Sequence, residues 1–238
     1  MSRNTLIIGA GPGLGMSIAR RFGREGHRIQ LVSRSAGRHP RFRAELAALG
    51  VEADTYAADV TDTPRFEAVL DEILDRHGEI DTVYYGASGA DLNRPPVPIT
   101  DMTAADATTA FEMVYPLVTA VSRLLPGIEN RRGAVLIAGG LSAVRPLPVL
   151  GPLALSSAAI RNYAITLNTA LADRGGYAGT LTIGGVVERG DIFHMVQAKP
   201  EVFGNLAERT LDPDRVADTA WDMVSRRDRV EEIFSVLD

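Results

Sequence analysis

The sequence predicts a single α/β domain built on one doubly wound parallel sheet of about seven strands flanked by helices. Three observations predict it. Short apolar, β-branched runs alternate with stretches of helical periodicity along the whole chain. The first such run, Leu6-Ile7-Ile8, feeds the glycine-dense turn Gly9-Ala10-Gly11-Pro12-Gly13-Leu14-Gly15, after which Leu14, Ile18 and Phe22 recur at helical spacing. A length of 238 residues, without internal repeat or interdomain linker, suits one large domain over residues 1–238.

Bulk composition excludes several function classes. A hydrophobic content of 45% and a charged content of 23% are ordinary for a globular protein. The net charge of −5 gives no case for nucleic acid as a partner. The absence of cysteine excludes disulfides and cysteine-ligated metals, and no metal site is expected. No apolar run approaches the ~20 residues that span a bilayer. Met1 leads directly into the first strand, so no signal peptide and a cytoplasmic location are expected.

The glycine turn carries the first functional signal. Glycines allow positive φ, let the backbone approach a ligand, and let the helix pack closely on the sheet. The helix that follows offers free N–H groups and a positive dipole end to a phosphate. Gly9, Gly13 and Gly15 read G-x-x-x-G-x-G, a spacing that resembles the short-chain dehydrogenase/reductase family, with its Rossmann-type fold, more than the G-x-G-x-x-G of other dinucleotide-binding enzymes. Ile8 stands where that family usually has threonine. The resemblance covers essentially the whole chain and implies a nicotinamide cofactor. It implies cofactor contacts at Gly9, Gly11, Gly13, Leu14 and Gly15.

The second strand, Arg28–Val32, ends in Ser33-Arg34-Ser35. In the family this end meets the adenosine ribose, where a carboxylate would accept the 2′-hydroxyl of NAD. None is present, and Arg34 is followed by Arg38, Arg41 and Arg43. A guanidinium donates two hydrogen bonds to a phosphate, so Ser33 and Arg34 are expected at the 2′-phosphate of NADP. The other reading is that these arginines solvate the next helix, whose apolar side is Phe42, Leu46 and Leu49. Val51–Ala57 reads as strand three. Asp59 and Val60 then resemble the family's pair beside the adenine, although Thr61, Asp62 and Thr63 before Pro64 equally read as a helix cap. The helix that follows carries Phe66, Val69, Leu70, Ile73 and Leu74, with His77 expected as an exposed last-turn residue.

Strand four, Ile80–Tyr85, leads to Gly86-Ala87-Ser88, where the family usually has Asn-Ala-Gly. Gly86 and Ala87 are expected beside the cofactor. A Pro-rich loop fills 90–100, and one long helix is expected from Ile99-Thr100-Asp101 through Leu125. Phe111, Val114, Leu117, Val118, Val121 and Leu125 would line one side of it, with a kink at the internal Pro116. Gly133–Ala138 reads as strand five, Pro152 to Asp173 as a long helix, and Thr180–Ile183 as strand six. Residues 186–210 suit a lid, Pro213–Arg226 a final helix, and Glu232–Val236 a last strand.

The resemblance also implies a reaction, hydride transfer run by Asn, Ser, Tyr and Lys. Val135-Leu136-Ile137-Ala138-Gly139-Gly140 matches the family's strand that ends in serine, which puts Gly140 at the serine position. Thirteen residues on, Leu153 stands for tyrosine; four further, Ser157 stands for lysine; and the asparagine position falls at or near Val114. The only lysine is Lys199, so no Tyr-x-x-x-Lys exists in any register. Tyr163 reads as a packing or interface residue. Ser142 is a candidate for the missing serine hydroxyl, and Ser156 and Ser157 for contacts to the nicotinamide ribose. Gly185, after strand six, replaces the glycine of the family's Pro-Gly. Glu188, Arg189, Asp191 and His194 form a titratable cluster in the lid, from which Glu188 or His194 are candidate acids or bases; a solvated lid surface is the other reading.

Three functions stay open from sequence. One is an atypical NADP-dependent oxidoreductase without the Tyr-Lys proton relay. Another is a non-redox cyclase, isomerase or dehydratase on the same fold. The third is an inactive nucleotide-binding sensor or partner. The two long helices resemble the family's interface helices, so a homodimer or homotetramer is expected.

Overall fold

The computed structural model describes residues 3–87 and 96–237. Seven parallel strands form the main sheet: β1 (Arg3–Ile8), β2 (His27–Ser33), β3 (Ala53–Ala57), β4 (Thr82–Tyr85), β5 (Ala134–Gly140), β6 (Tyr177–Gly184) and, numbered last in the chain, β9 (Glu231–Ser235). Their order is β3-β2-β1-β4-β5-β6-β9. The chain winds outward one way from β1 and then the other way from β4, so a crevice opens between the two at their carboxyl ends.

Both faces are covered. Along β1, Leu6 and Ile8 point to one core and Ile7 to the other, as the two-residue period requires. The first core is closed by α3 (Thr63–His77), α5 (Tyr115–Asn130) and α6 (Gly151–Ala172), with Phe66, Leu70, Leu117, Leu124 and Ile160 among its residues. The second is closed by α1 (Leu14–Arg24), α2 (His39–Ala47) and α9 (Pro213–Arg226), with Phe22, Phe42, Val216 and Met223. Tyr163 packs at the edge of the first core.

Several sequence expectations are corrected. The long helix is two. A capping box between Thr103 and Asp106 starts α4 (Ala104–Phe111), and α5 begins afresh at Tyr115. Pro116 sits in the first turn of α5, where its missing N–H costs nothing, so it marks a restart and not a kink. Val114 falls at that break. Val118 is 43% exposed and Leu49 42%, so neither belongs to the apolar side assigned to it. His77 is not an exposed end: its side chain is 3% exposed and its Nε2 lies 2.7 Å from the Tyr56 hydroxyl. The capping reading of Asp62 holds, because its carboxylate accepts from the Arg65 amide.

Residues 186–211 fold as a small unit. β7 (Val186–Val187) pairs with β8 (Thr210–Leu211) and closes its base; α7 (Asp191–Ala198), α8 (Pro200–Phe203) and a 3-10 turn lie between. Ser88 and most of the Pro-rich loop lie outside the described residues. Among the described residues no helix is long and apolar enough to cross a membrane.

Candidate functional site

Strand register brings the predicted cofactor residues to one edge. Ile8 pairs with Val32 and with Tyr85, and Ser33 with Ala57. The turns carrying Gly9, Arg34, Asp59 and Gly86 therefore leave the sheet at one level. Gly9 N–H and Ala10 N–H both donate to the Val32 carbonyl, at 3.0 and 2.9 Å, and Gly86 N–H donates to the Ile8 carbonyl at 2.8 Å.

Gly9 has φ +91°, and a Cβ on it would lie 2.5 Å from the Ala87 nitrogen, so only glycine fits where β1 and β4 exit side by side. A Cβ on Gly15 would lie 2.9 Å from the Gly9 carbonyl oxygen, which draws α1 down onto the turn. At Gly11 nothing lies within 4 Å, so the turn is open on that side. The first helical hydrogen bonds run from Met16 to Gly11 and from Ser17 to Gly13. The amides of Leu14 and Gly15 thus have no acceptor among the described residues, as expected for a helix start poised over an anion.

At the exit of β2, where the adenosine end is expected, Ser33 Oγ donates to the Ser35 carbonyl at 3.1 Å and lies 2.8 Å from His39 Nε2, so it is committed within the protein. Arg34 is exposed at the exit of β2. Asp59 accepts from the Thr61 amide and hydroxyl through one oxygen, Oδ1. The Thr61 amide chiefly holds its carboxyl below the usual carboxylate range, against the opposing effect of burial, with the Thr61 hydroxyl and Arg34 helping. It stays ionised, with Oδ2 left to accept. Val60 is buried beside it.

The other end of the crevice is built by β5, the 3-10 turn Leu141–Ala143 and α6. A Cβ on Gly140 would lie 3.0 Å from Ser157 Oγ and 3.5 Å from Ser142 Oγ. Ser142 Oγ donates a long 3.4 Å bond to the Leu153 carbonyl. Ser156 turns back on its own helix, toward the Pro152 and Leu153 carbonyls at 3.5 Å. No lysine or tyrosine side chain stands at Leu153 or Ser157. At Gly185 a Cβ would press on Val236 and Leu211, so that glycine serves packing of the sheet edge.

The titratable cluster of residues 188–194 is placed elsewhere. Glu188 accepts from the Thr210 hydroxyl at 2.8 Å, and its backbone carbonyl lies 3.0 Å from where a Gly13 Cβ would be. The base of the 186–211 unit therefore rests on Gly13, the second glycine of the Gly9, Gly13, Gly15 motif. Arg189, at φ +64°, pairs with Asp214 at 2.8 Å and donates to Ser17 Oγ at 3.2 Å. Burial works to raise the Asp214 carboxyl, but Ser17, Arg189 and Arg20 together lower it to about 2. Asp191 makes a two-pronged bond with Arg38 at 2.7 and 2.8 Å, tying α7 to the turn after β2. His194 lines a cavity of about 460 Å³ with Arg20, Arg38, Arg41 and Arg189, and with the carboxylates of Glu45 and Asp191, which pair with Arg20 and Arg38. Neither His194 nor Glu188 hydrogen-bonds to Ser142 or Ser157. Among the described residues no cluster of three metal-ligating side chains occurs.

The convergence of Ser142 and Ser157 on Gly140 was missed from sequence, and so were the Arg38–Asp191 and Arg189–Asp214 ties. Separations of 15, 153 and 25 residues leave no periodic signal to find them by.

Comparison with known proteins bears on this geometry. A family model described as short chain dehydrogenase matches residues 3–187. The human mitochondrial dehydrogenase/reductase SDR family member 2 is 26% identical over 178 residues, covering 73% of this chain and 61% of that protein. A putative ketoacyl reductase of Streptomyces coelicolor is 36% identical over 86 residues, covering 36% of this chain and 33% of that one. These matches span less than two thirds of either relative. L-sorbose reductase from Gluconobacter frateurii, solved with NADPH and L-sorbose, superposes with a TM-score of 0.85 at 20% identity, covering 98% of this chain and 95% of that one. A metagenomic short-chain oxidoreductase solved with NADP gives 0.78 at 18% identity, covering 99% and 98%.

Proposed function

The chain belongs to the short-chain dehydrogenase family, and from that membership we propose that it binds NADP(H) and acts as an atypical oxidoreductase without a Tyr-Lys proton relay. One observation carries the cofactor reading. The unpaired Leu14 and Gly15 amides and the open face of Gly11 form a cradle for a pyrophosphate at the β1/β4 crevice. Arg34, in the segment Ser33-Arg34-Ser35 that carries no carboxylate of its own, favours NADP over NAD. Asp59 Oδ2 would accept from the adenine amino group, and Gly86 and Ala87 would border the nicotinamide half. NADP(H) bound there supplies or accepts a hydride. The relatives solved with NADPH and NADP support the same choice.

The chain's own part in the chemistry is limited by what it carries. Hydroxyls at Ser142 and Ser157 can orient a substrate oxygen. No side chain at Leu153 can hand it a proton, and no cation at Ser157 can lower a partner's pKa. The substrate must therefore need little help with protonation, as an iminium or a conjugated electrophile does.

Titration with NADPH and NADH, read by calorimetry, tests this. NADPH should bind more tightly, and Arg34→Asp should cost NADPH about tenfold or more while sparing NADH. Absence of binding by either dinucleotide would remove the cofactor reading. A non-redox cyclase, isomerase or dehydratase is the second reading, favoured by the side chains at Val114, Gly140 and Leu153, which give a substrate apolar or bare walls. Product formed without NADPH turnover would decide for it; an inactive nucleotide sensor would show binding and no turnover. Exposed Tyr115, Val118 and Leu155 on α5 and α6 support a homo-oligomer through those helices.

A further inference from the structure

We propose that Ser142 and Ser157 form a two-hydroxyl cradle for a negatively charged substrate oxygen, that of an enolate or phenolate. The proposal rests on the reading that Gly140 borders the reacting end of the site. β5 ends at Gly140, the 3-10 turn Leu141–Ala143 folds Ser142 back beside it, and α6 brings in Ser157. Both hydroxyl oxygens lie within 3.5 Å of the point a Gly140 Cβ would occupy, so a bare backbone position is flanked by two donors.

Both donors have capacity to spare. A helical serine ordinarily bonds a carbonyl one turn back, and Ser156 does so. Ser157, the next residue, is 9% exposed, and its hydroxyl makes no hydrogen bond to any described residue. Ser142 has only its 3.4 Å bond to the Leu153 carbonyl. Leu141, buried, and Leu153, half-buried, supply apolar surroundings, in which hydrogen bonds to a charged oxygen strengthen.

The pair selects a chemical class because it is neutral. Two serine hydroxyls stabilise negative charge by hydrogen bonding and do not supply an acidic proton. The oxyanion of a simple alcohol is too basic to form without a proton donor. An enolate or phenolate, whose conjugate acid titrates near that of a tyrosine, about 10, can form held by hydrogen bonds alone and take its proton from water afterwards. The ligands implied are enones and quinones as substrates and phenols as mimics.

The test uses 4-nitrophenol, whose anion is coloured, titrated against the whole 238-residue chain with and without NADP. Wild type, Ser142→Ala, Ser157→Ala, the double variant and Ser157→Thr are compared, with melting curves to show that each is folded. Wild type should bind the anion in preference to the neutral phenol and lower its bound pKa. Each alanine should weaken anion binding by about tenfold, as expected for a hydrogen bond to a charged oxygen, and threonine should restore it. Equal affinity of the wild type and the folded double variant for the anion overturns the proposal, as does a wild type that shows no preference for the anion. NADPH binding, followed separately by fluorescence, keeps the two readings apart. Its absence with anion binding intact refutes the cofactor reading alone, and its presence with no anion preference refutes the cradle alone.

Discussion

Acidification should destabilise this protein through one buried ring, His27. The side chain is 4% exposed, with Nδ1 2.7 Å from Thr5 Oγ1 and Nε2 without a partner. Phe22 and Trp221 meet it edge-on at 5.6 Å each. Burial first, with the Arg3 charge second, lowers its pKa to about 4 against the opposing charges of Asp81 and Glu25. Above pH 6.5 the ring is neutral in both folded and unfolded chains and makes no difference to stability. Below that, the unfolded chain takes up a proton that the folded ring refuses, so stability falls by about 1.4 kcal/mol per pH unit. The fall continues until the folded ring itself titrates, near 4. The loss over that window is about 3 kcal/mol, a large part of a typical folding free energy. The assay is urea unfolding of the wild type and His27→Phe between pH 7 and 4. Phenylalanine keeps a ring between Phe22 and Trp221 and cannot titrate, so its curve should lose about 3 kcal/mol less across the window. Trp221, the only tryptophan, reports the native-state titration directly through quenching by a protonated neighbour. Parallel stability curves for the two proteins, or a Trp221 titration centred near 6.5, would refute the reasoning.

Other outcomes follow from single positions. Gly9→Ala should cost about 2–4 kcal/mol in thermal or urea melts, because a left-handed backbone and a Cβ pressed on Ala87 act together; a change under about 0.5 kcal/mol would show that the turn relaxes freely. Arg189→Ala should be less stable than Arg189→Gly by about 1 kcal/mol, since both lose the Asp214 pair and only glycine is relieved at φ +64°. Val118→Glu, on the exposed side of α5, should shift light scattering toward monomer if that helix is an interface; an unchanged mass would remove it from one.

Local signals served well where the physics is local. Pro213–Arg226 has an acidic cap before a first-turn proline, and its helix matches the expected bounds residue for residue. Strand five runs two residues further than its β-branched run suggests, to Gly140, because pairing with β6 carries the ladder past the last bulky side chain. The single long helix failed at Thr103 and Pro116, where a cap and a proline outweigh the apolar periodicity on which the expectation rested. His77 failed for a different reason. Its last-turn position is as expected, but Tyr56 on β3, 21 residues back, covers it.

The candidate site divides the same way. The glycine turn, the missing carboxylate after β2 and the absence of a Tyr-x-x-x-Lys pair are matters of residue order, and order along the chain is what the sequence states. The common level of Gly9, Arg34, Asp59 and Gly86 comes from strand register, set by hydrogen bonds between segments far apart in the chain. Likewise Ser142 and Ser157 face one point only because a 3-10 turn and α6 fold back over the end of β5. Of the titratable residues at 188–194, Glu188 turns to Thr210, while Arg189, Asp191 and His194 meet Arg38 around one cavity. The sequence by itself determined the alternation of strands and helices, the family and the absence of any Tyr-x-x-x-Lys pair, because these depend on residue type and spacing. Tertiary structure alone decided which side chains share a site, because that depends on packing between segments whose separation in the chain carries no period.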